Sequence, residues 1–263
     1  MQLTWDRARF KQTGKDTFLS SYWPFVGVCV LLALLSGDLF NVQLQQTSRE
    51  IVSGSFSLYD DLSLGDTIAY GMHTLAPYVT PFLFGGLLFS LLVVFPLQVG
   101  ADRFFLESRP GYKAPFGCIG HGFAKNYGNV FLTGLFKWLF TLLWTLLFII
   151  PGIIRSFGYF AVPYILAENP NLNYDRALQL SLQMTQGYKW DLFVLQLSFL
   201  GWFLLSGITF NLVGIFYVNP YYQATLAEAY RFLRENAIAN GYTNNMELPG
   251  VQPPLWGGTG VGL

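Results

Sequence analysis

Charge is what this chain has least of. Only 11% of its 263 residues are Asp, Glu, Lys or Arg, against about 25% in an ordinary soluble domain. Hydrophobic residues make up 52% and the mean hydropathy is +0.39. Apolar runs recur along the chain, so the surplus is not one large core, and the class is a polytopic membrane protein. The charges sum to zero, which leaves no electrostatic footprint for nucleic acid. Cysteine is equally scarce. Cys29 sits in an apolar run and Cys118 in a basic loop, so a disulfide is not expected and no metal spacing exists. His73 and His121 stand alone, without an HExxH pattern or a cysteine partner. The glycine-rich stretch 111–122, GYKAPFGCIGHG, lacks the GKS or GKT ending of a phosphate loop. No paired Asp falls inside a span, and Ser206–Gly207 has no basic partner such as His in any span. No catalytic residue, cofactor or metal is therefore expected, and an enzyme is not the reading.

What is present is a series of apolar runs. Residues 1–19 carry Arg7, Arg9, Lys11 and Lys15 among Leu3, Trp5, Phe10 and Phe18. They read either as a basic amphipathic helix on the membrane surface or as a basic flank that orients the first span. The first apolar run starts only near Tyr22, after this polar stretch, and no small-residue cleavage site follows, so a signal peptide is not expected. Spans are expected at about 20–40, 76–100, 129–150, 153–167, 190–207 and 208–225. A polar stretch, 41–75, separates the first two. The tail from Gly241 is rich in Gly and Pro and is expected to be disordered. Residues 20–240 form one helical membrane domain.

A span needs roughly 20 apolar residues. The run 153–167 is shorter, so it either crosses with recessed ends or dips in and returns. Charge favours crossing. With six spans, the N-terminus, 101–128, 168–189 and the C-terminus share one side, which then holds twelve Lys and Arg, whereas the other side holds only Arg49. The positive-inside rule makes that side cytoplasmic. The expected fold is all-α: about six transmembrane helices plus cytoplasmic amphipathic helices at 174–186 and 224–236, in the cell membrane with both termini cytoplasmic.

Five stretches carry a resemblance: LLWTLLFIIPGIIR, PYILAENP, ALQLSLQMTQGYKWDLF, LSFLGWFLL and PYYQATLAEAYRFL. In this order and spacing, over about 100–233, the chain resembles a bacterial integral-membrane family known as domain-of-unknown-function family 975. RARFKQ followed by a first span is similar to that family's N-terminus. The resemblance implies a multi-span bacterial membrane protein and no activity.

The candidate positions lie mainly in Leu142–Pro170. Pro151–Gly152 is expected to break the chain into two antiparallel helices near the outer face. Arg155 then anchors at the outer headgroups, or lines a functional cavity if the break is absent. Pro163–Tyr164 and Glu168 mark the other end, Glu168 as a local ion-pair partner near Arg176 and Lys189. Lys137 snorkels to the headgroups, and Asn211 hydrogen-bonds between helices. Tyr188, Trp190, Tyr217, Tyr221 and Tyr222 form an interfacial belt. Asn219–Pro220 echoes Pro163–Tyr164. Two functions remain. One is a scaffold or accessory protein binding membrane lipids or another membrane protein. The other is a small transporter or export factor with a site near the broken helices.

Overall fold

The computed structural model describes residues 4–36, 85–110, 112, 114–124, 126–209 and 211–251. The polar stretch 41–75, the start of the second run with Pro77 and Pro81, and the end of the tail lie outside the described residues. The helices are α1 (Arg7–Ser20), α2 (Tyr22–Ser36), α3 (Gly85–Glu107), α4 (His121–Ala124), α5 (Tyr127–Leu147) and α6 (Ile149–Gly158). They continue as α7 (Val162–Glu168), α8 (Tyr174–Met184), α9 (Lys189–Leu197), α10 (Leu200–Ile208) and α11 (Asn219–Ala239). No strand occurs among the described residues. The chain clusters into two compact units, 31–94 and the remainder, and the candidate residues lie in the remainder.

The fold is that of a helical membrane protein. Four stretches are long and apolar enough to cross a bilayer: α3, α5, α6 with α7 (Ile149–Glu168), and α9 with α10 (Lys189–Ile208). The bent pair of α1 and α2 makes a fifth if it counts as one span. The axes of α1 and α2 meet at 98°. If α2 crosses, α1 therefore runs along the surface. Asp6 starts α1 by accepting hydrogen bonds from the N–H groups of Ala8 and Arg9. Gly14 does not interrupt it. A Cβ there would come within 2.9 Å of the Thr225 Cα, so glycine is what lets α1 lie against α11.

The break between α5 and α6 falls at Phe148, whose backbone is extended (φ −156°, ψ 138°). Helix α6 then packs back along α5. Pro151 lies just inside α6, in the first turn, where its missing N–H has no intrahelical partner to lose. Gly152 does the close work instead: a Cβ there would lie within 2.6 Å of the Thr145 Cα. The tip from Leu146 to Ile150 is exposed.

The sixth run behaves differently. Asn211, in the left-handed region (φ 64°), turns the chain after α10 and donates its N–H to Ser206 O at 2.7 Å. A π turn, Gly214–Val218, leads into α11. Pro220 follows after Asn219; having no N–H, it cannot close the ordinary i to i−4 bond, and the wider turn before it accommodates its ring. Of the two segments expected as surface helices, 174–184 forms α8, with 185–186 in the turn after it, and 224–236 lies within α11.

The expected disorder from Gly241 does not hold for residues 241–251. Leu248 is fully buried there, and Val251 nearly so. Arg176, Arg234, Asn169 and Glu168 all hydrogen-bond to this strap. Composition alone marks Gly and Pro as disordering; these side-chain partners supply the order.

Candidate functional site

The candidate positions separate into three places. Arg155 stacks over Trp144, with the guanidinium carbon 4.9 Å from the ring centroid, so it holds α6 to α5 near the tip. Asn211 lies in the turn after α10. Pro163 and Tyr164 lie in the first turns of α7 and are buried. Tyr164 stacks on Tyr230 of α11, with centroids 4.9 Å apart and planes 18° from parallel. Glu168 ends α7 with its side chain only 2% exposed. Its partner is not a sequence neighbour. Arg234 Nε donates to Oε2 at 3.0 Å, and the Gly250 N–H donates to the same oxygen at 3.0 Å. Arg176 pairs instead with Glu247, through Nε to Oε1 at 2.6 Å and a second nitrogen to Oε2 at 2.9 Å. Of the expected aromatic belt, Tyr188 stacks on Trp5 and meets Phe232 edge-on in a half-buried cluster, while Trp190 is exposed.

One residue was not legible as a site. Asp102 lies five residues from the end of α3, 1% exposed, and neither carboxylate oxygen has a hydrogen-bond partner among the described residues. Lys137 of α5, a helix that packs against α3, carries the opposite charge. Lys137 sits mid-helix, roughly 15 Å from either end of α5 at ~1.5 Å per residue. Its ammonium lies over the Phe95 ring, 5.7 Å from the centroid, so it turns toward α3 and not simply along its own helix.

Around this pair the other charges are spoken for. Arg103 donates to Glu107 (2.9 Å) and to the Ala167 carbonyl (2.8 Å), and one of its nitrogens lies 3.0 Å from His121 Nε2. The Cys118 thiol donates to the other Glu107 oxygen at 2.8 Å. Burial, aided by that carboxylate, pushes the thiol up to about 12, so it stays protonated. Arg231 pairs with Glu228 and donates to the carbonyls of Leu106 (2.7 Å) and Ser108 (3.0 Å). It thereby caps the C-terminal end of α3 with positive charge. Burial lowers the Arg231 guanidinium and raises the Glu228 carboxyl.

A family model described as "Protein of unknown function (DUF975)" matches residues 87–237. The chain belongs to this family. No curated protein and no solved structure matches the chain. In this DUF975 protein the matched stretch contains Asp102, Lys137, Tyr164, Glu168, Tyr230 and Arg234. The strap and α1 lie outside it. Several apolar helices give the DUF975 protein a membrane localisation.

Glu168 and Arg234 border a small pocket of about 70 Å³. Arg109, Arg231, Glu235 and Gly250 complete its polar lining. No cluster of three or more His, Cys, Asp or Glu suited to a metal occurs among the described residues.

Proposed function

We propose that this DUF975 protein is an accessory protein of the bacterial cytoplasmic membrane that holds lipid, or a span of another membrane protein, against its outer helix faces. One observation carries the reading. Only 17% of the most apolar window of Tyr127–Leu147 is buried, and 22% of that in Lys189–Ile208, against 50% in Ile149–Glu168. Helices that enclose a pathway would turn those faces toward one another; these turn them outward. Arg155 and Asn211, which a transporter would bring to a mid-membrane cavity, lie on a hairpin contact and in a turn. Both termini are read as cytoplasmic from the twelve basic residues on their side. Helix α1 would then lie in the headgroup layer.

A photo-crosslinking residue at exposed Leu143 tests this in native membranes. Discrete adducts with lipid or one membrane protein are expected there, and none at fully buried Val130. Purely intramolecular adducts at Leu143 would overturn the reading. A periplasm-only reporter fused after Val251 should stay inactive; activity would reverse the orientation. A small transporter or export factor is the second reading, and the opposed charges of Asp102 and Lys137 inside the spans favour it.

A further inference from the structure

We propose that the pocket bordered by Glu168 and Arg234 binds a phosphoethanolamine group, presented as the zwitterionic headgroup of a phospholipid. This site is separate from the outer helix faces and does not depend on what they hold.

Charge pairing within the pocket leads to this ligand. Three guanidinium groups line it, those of Arg109, Arg231 and Arg234, together with two carboxylates, Glu168 and Glu235. Arg234 is matched by Glu168, and Arg231 by Glu228. That leaves one cation and one anion. Arg109 and Glu235 are exposed, and neither side chain has a hydrogen bond or an ion pair among the described residues. They line the same small space without pairing with each other. A purely anionic ligand would gain Arg109 and be repelled by Glu235. A purely cationic ligand would meet the reverse. A zwitterion places one of its groups on each.

Two observations make the anionic group a phosphate and not a carboxylate. Arg231 is held by the carbonyls of Leu106 and Ser108, and Arg234 by that of Leu248, so a fixed positive wall stands beside Arg109. Several guanidinium groups suit the charge that a phosphate spreads over its oxygens. The pocket also lies at headgroup depth. Leu106, which lines it, is next to the last residue of the apolar stretch Gly85–Glu107, and Glu168 is the last residue of Ile149–Glu168.

The cationic group is a primary ammonium. Such a group donates N–H bonds to a carboxylate, as Glu235 offers. A quaternary ammonium has none to donate and is held by aromatic faces, and no aromatic residue is among the described residues lining the pocket. The volume of about 70 Å³ is the space of roughly five waters. It admits a headgroup and no acyl chain.

Native mass spectrometry of the purified full chain in detergent tests the proposal. Phosphatidylethanolamine, phosphatidylcholine and phosphatidylglycerol with the same acyl chains are titrated in turn. The first should bind at least tenfold tighter than the other two. Arg109→Gln and Glu235→Gln should each weaken it at least fivefold, and because both side chains are exposed and unbonded, both variants should fold. Glu235→Gln should also narrow the gap to phosphatidylglycerol, since the charge that repels it is gone. Acyl-free glycerophosphoethanolamine separates the two sources of the group, and it should bind more weakly than the lipid. Tighter binding of that free compound would move the source into solution and overturn the lipid assignment. Phosphatidylcholine or phosphatidylglycerol binding as tightly as phosphatidylethanolamine would overturn the proposal, and so would wild-type affinity in either variant.

Discussion

Two of the buried combinations of opposite charge among the described residues are built differently. Glu168 and Arg234 touch at 3.0 Å, and backbone groups of the strap complete their shells: the Gly250 N–H on the carboxylate and the Leu248 carbonyl on the guanidinium, at 2.6 Å. Asp102 and Lys137 feel each other's charge without such contact, and Lys137 rests on an aromatic ring. The first pair is saturated and binds three stretches of chain together. The second is left open where hydrocarbon makes openness expensive. A saturated pair reads as architecture, because moving a proton there breaks several bonds at once. An open pair can change protonation without dismantling its surroundings.

The sharpest test of this contrast removes one member of each pair. Glu168→Gln strands Arg234 and should lower stability by about 3–5 kcal/mol, the usual cost of breaking a buried pair; thermal melting in detergent reads it. Lys137→Met should cost less, about 1–2 kcal/mol, since only a long-range attraction and the contact with the Phe95 ring are lost. Asp102→Asn added to Lys137→Met should recover most of that loss. The contrast collapses if the Lys137 variant melts as low as the Glu168 variant.

Smaller effects are expected at the surface. The Arg176 hydrogen bonds hold the Glu247 carboxyl below its ordinary value near 4.5. A lowered folded value means that this stabilisation is complete above the ordinary range and is lost as pH falls through the folded value. The pair is partly exposed, so it is worth only about 0.5–1 kcal/mol. Melting curves from pH 7 down to 4 should show the onset of that loss, and Glu247→Gln should remove that component of the pH dependence. Arg155→Ala should have an equally small effect, about 0.5–1 kcal/mol, the worth of a cation–π contact that is not fully desolvated. A loss as large as that of Glu168→Gln would return Arg155 to a functional cavity.

The break between the third and fourth apolar runs was legible from run length alone. The 39 residues from Asn129 to Ala167 could not form one helix within a bilayer, and the chain does break there. The break comes at Phe148 and not at Pro151, because a proline in the first turn of a helix obstructs nothing. Asp102 was hidden for a related reason. A polar pair, Asp102–Arg103, after an apolar run looks like a loop. The helix nevertheless runs on to Glu107, because Arg103 finds its acceptors on α7 and on its own next turn. Partner identity was beyond sequence reach: Glu168 lies near Arg176 and Lys189 along the chain but bonds to Arg234, 66 residues away.

That separation also orders events during synthesis. Glu168 emerges 66 residues before Arg234 and 82 before Gly250. Until those residues are made, α7 ends in an unpaired carboxylate, and the strap that covers it does not yet exist. The apolar helices α3 to α10 are all complete before then and can enter the bilayer in sequence. Closure of the polar end is therefore the last act of assembly. A nascent chain stopped short of Leu248 would be threaded but unlocked, and quality-control proteases would meet that form first.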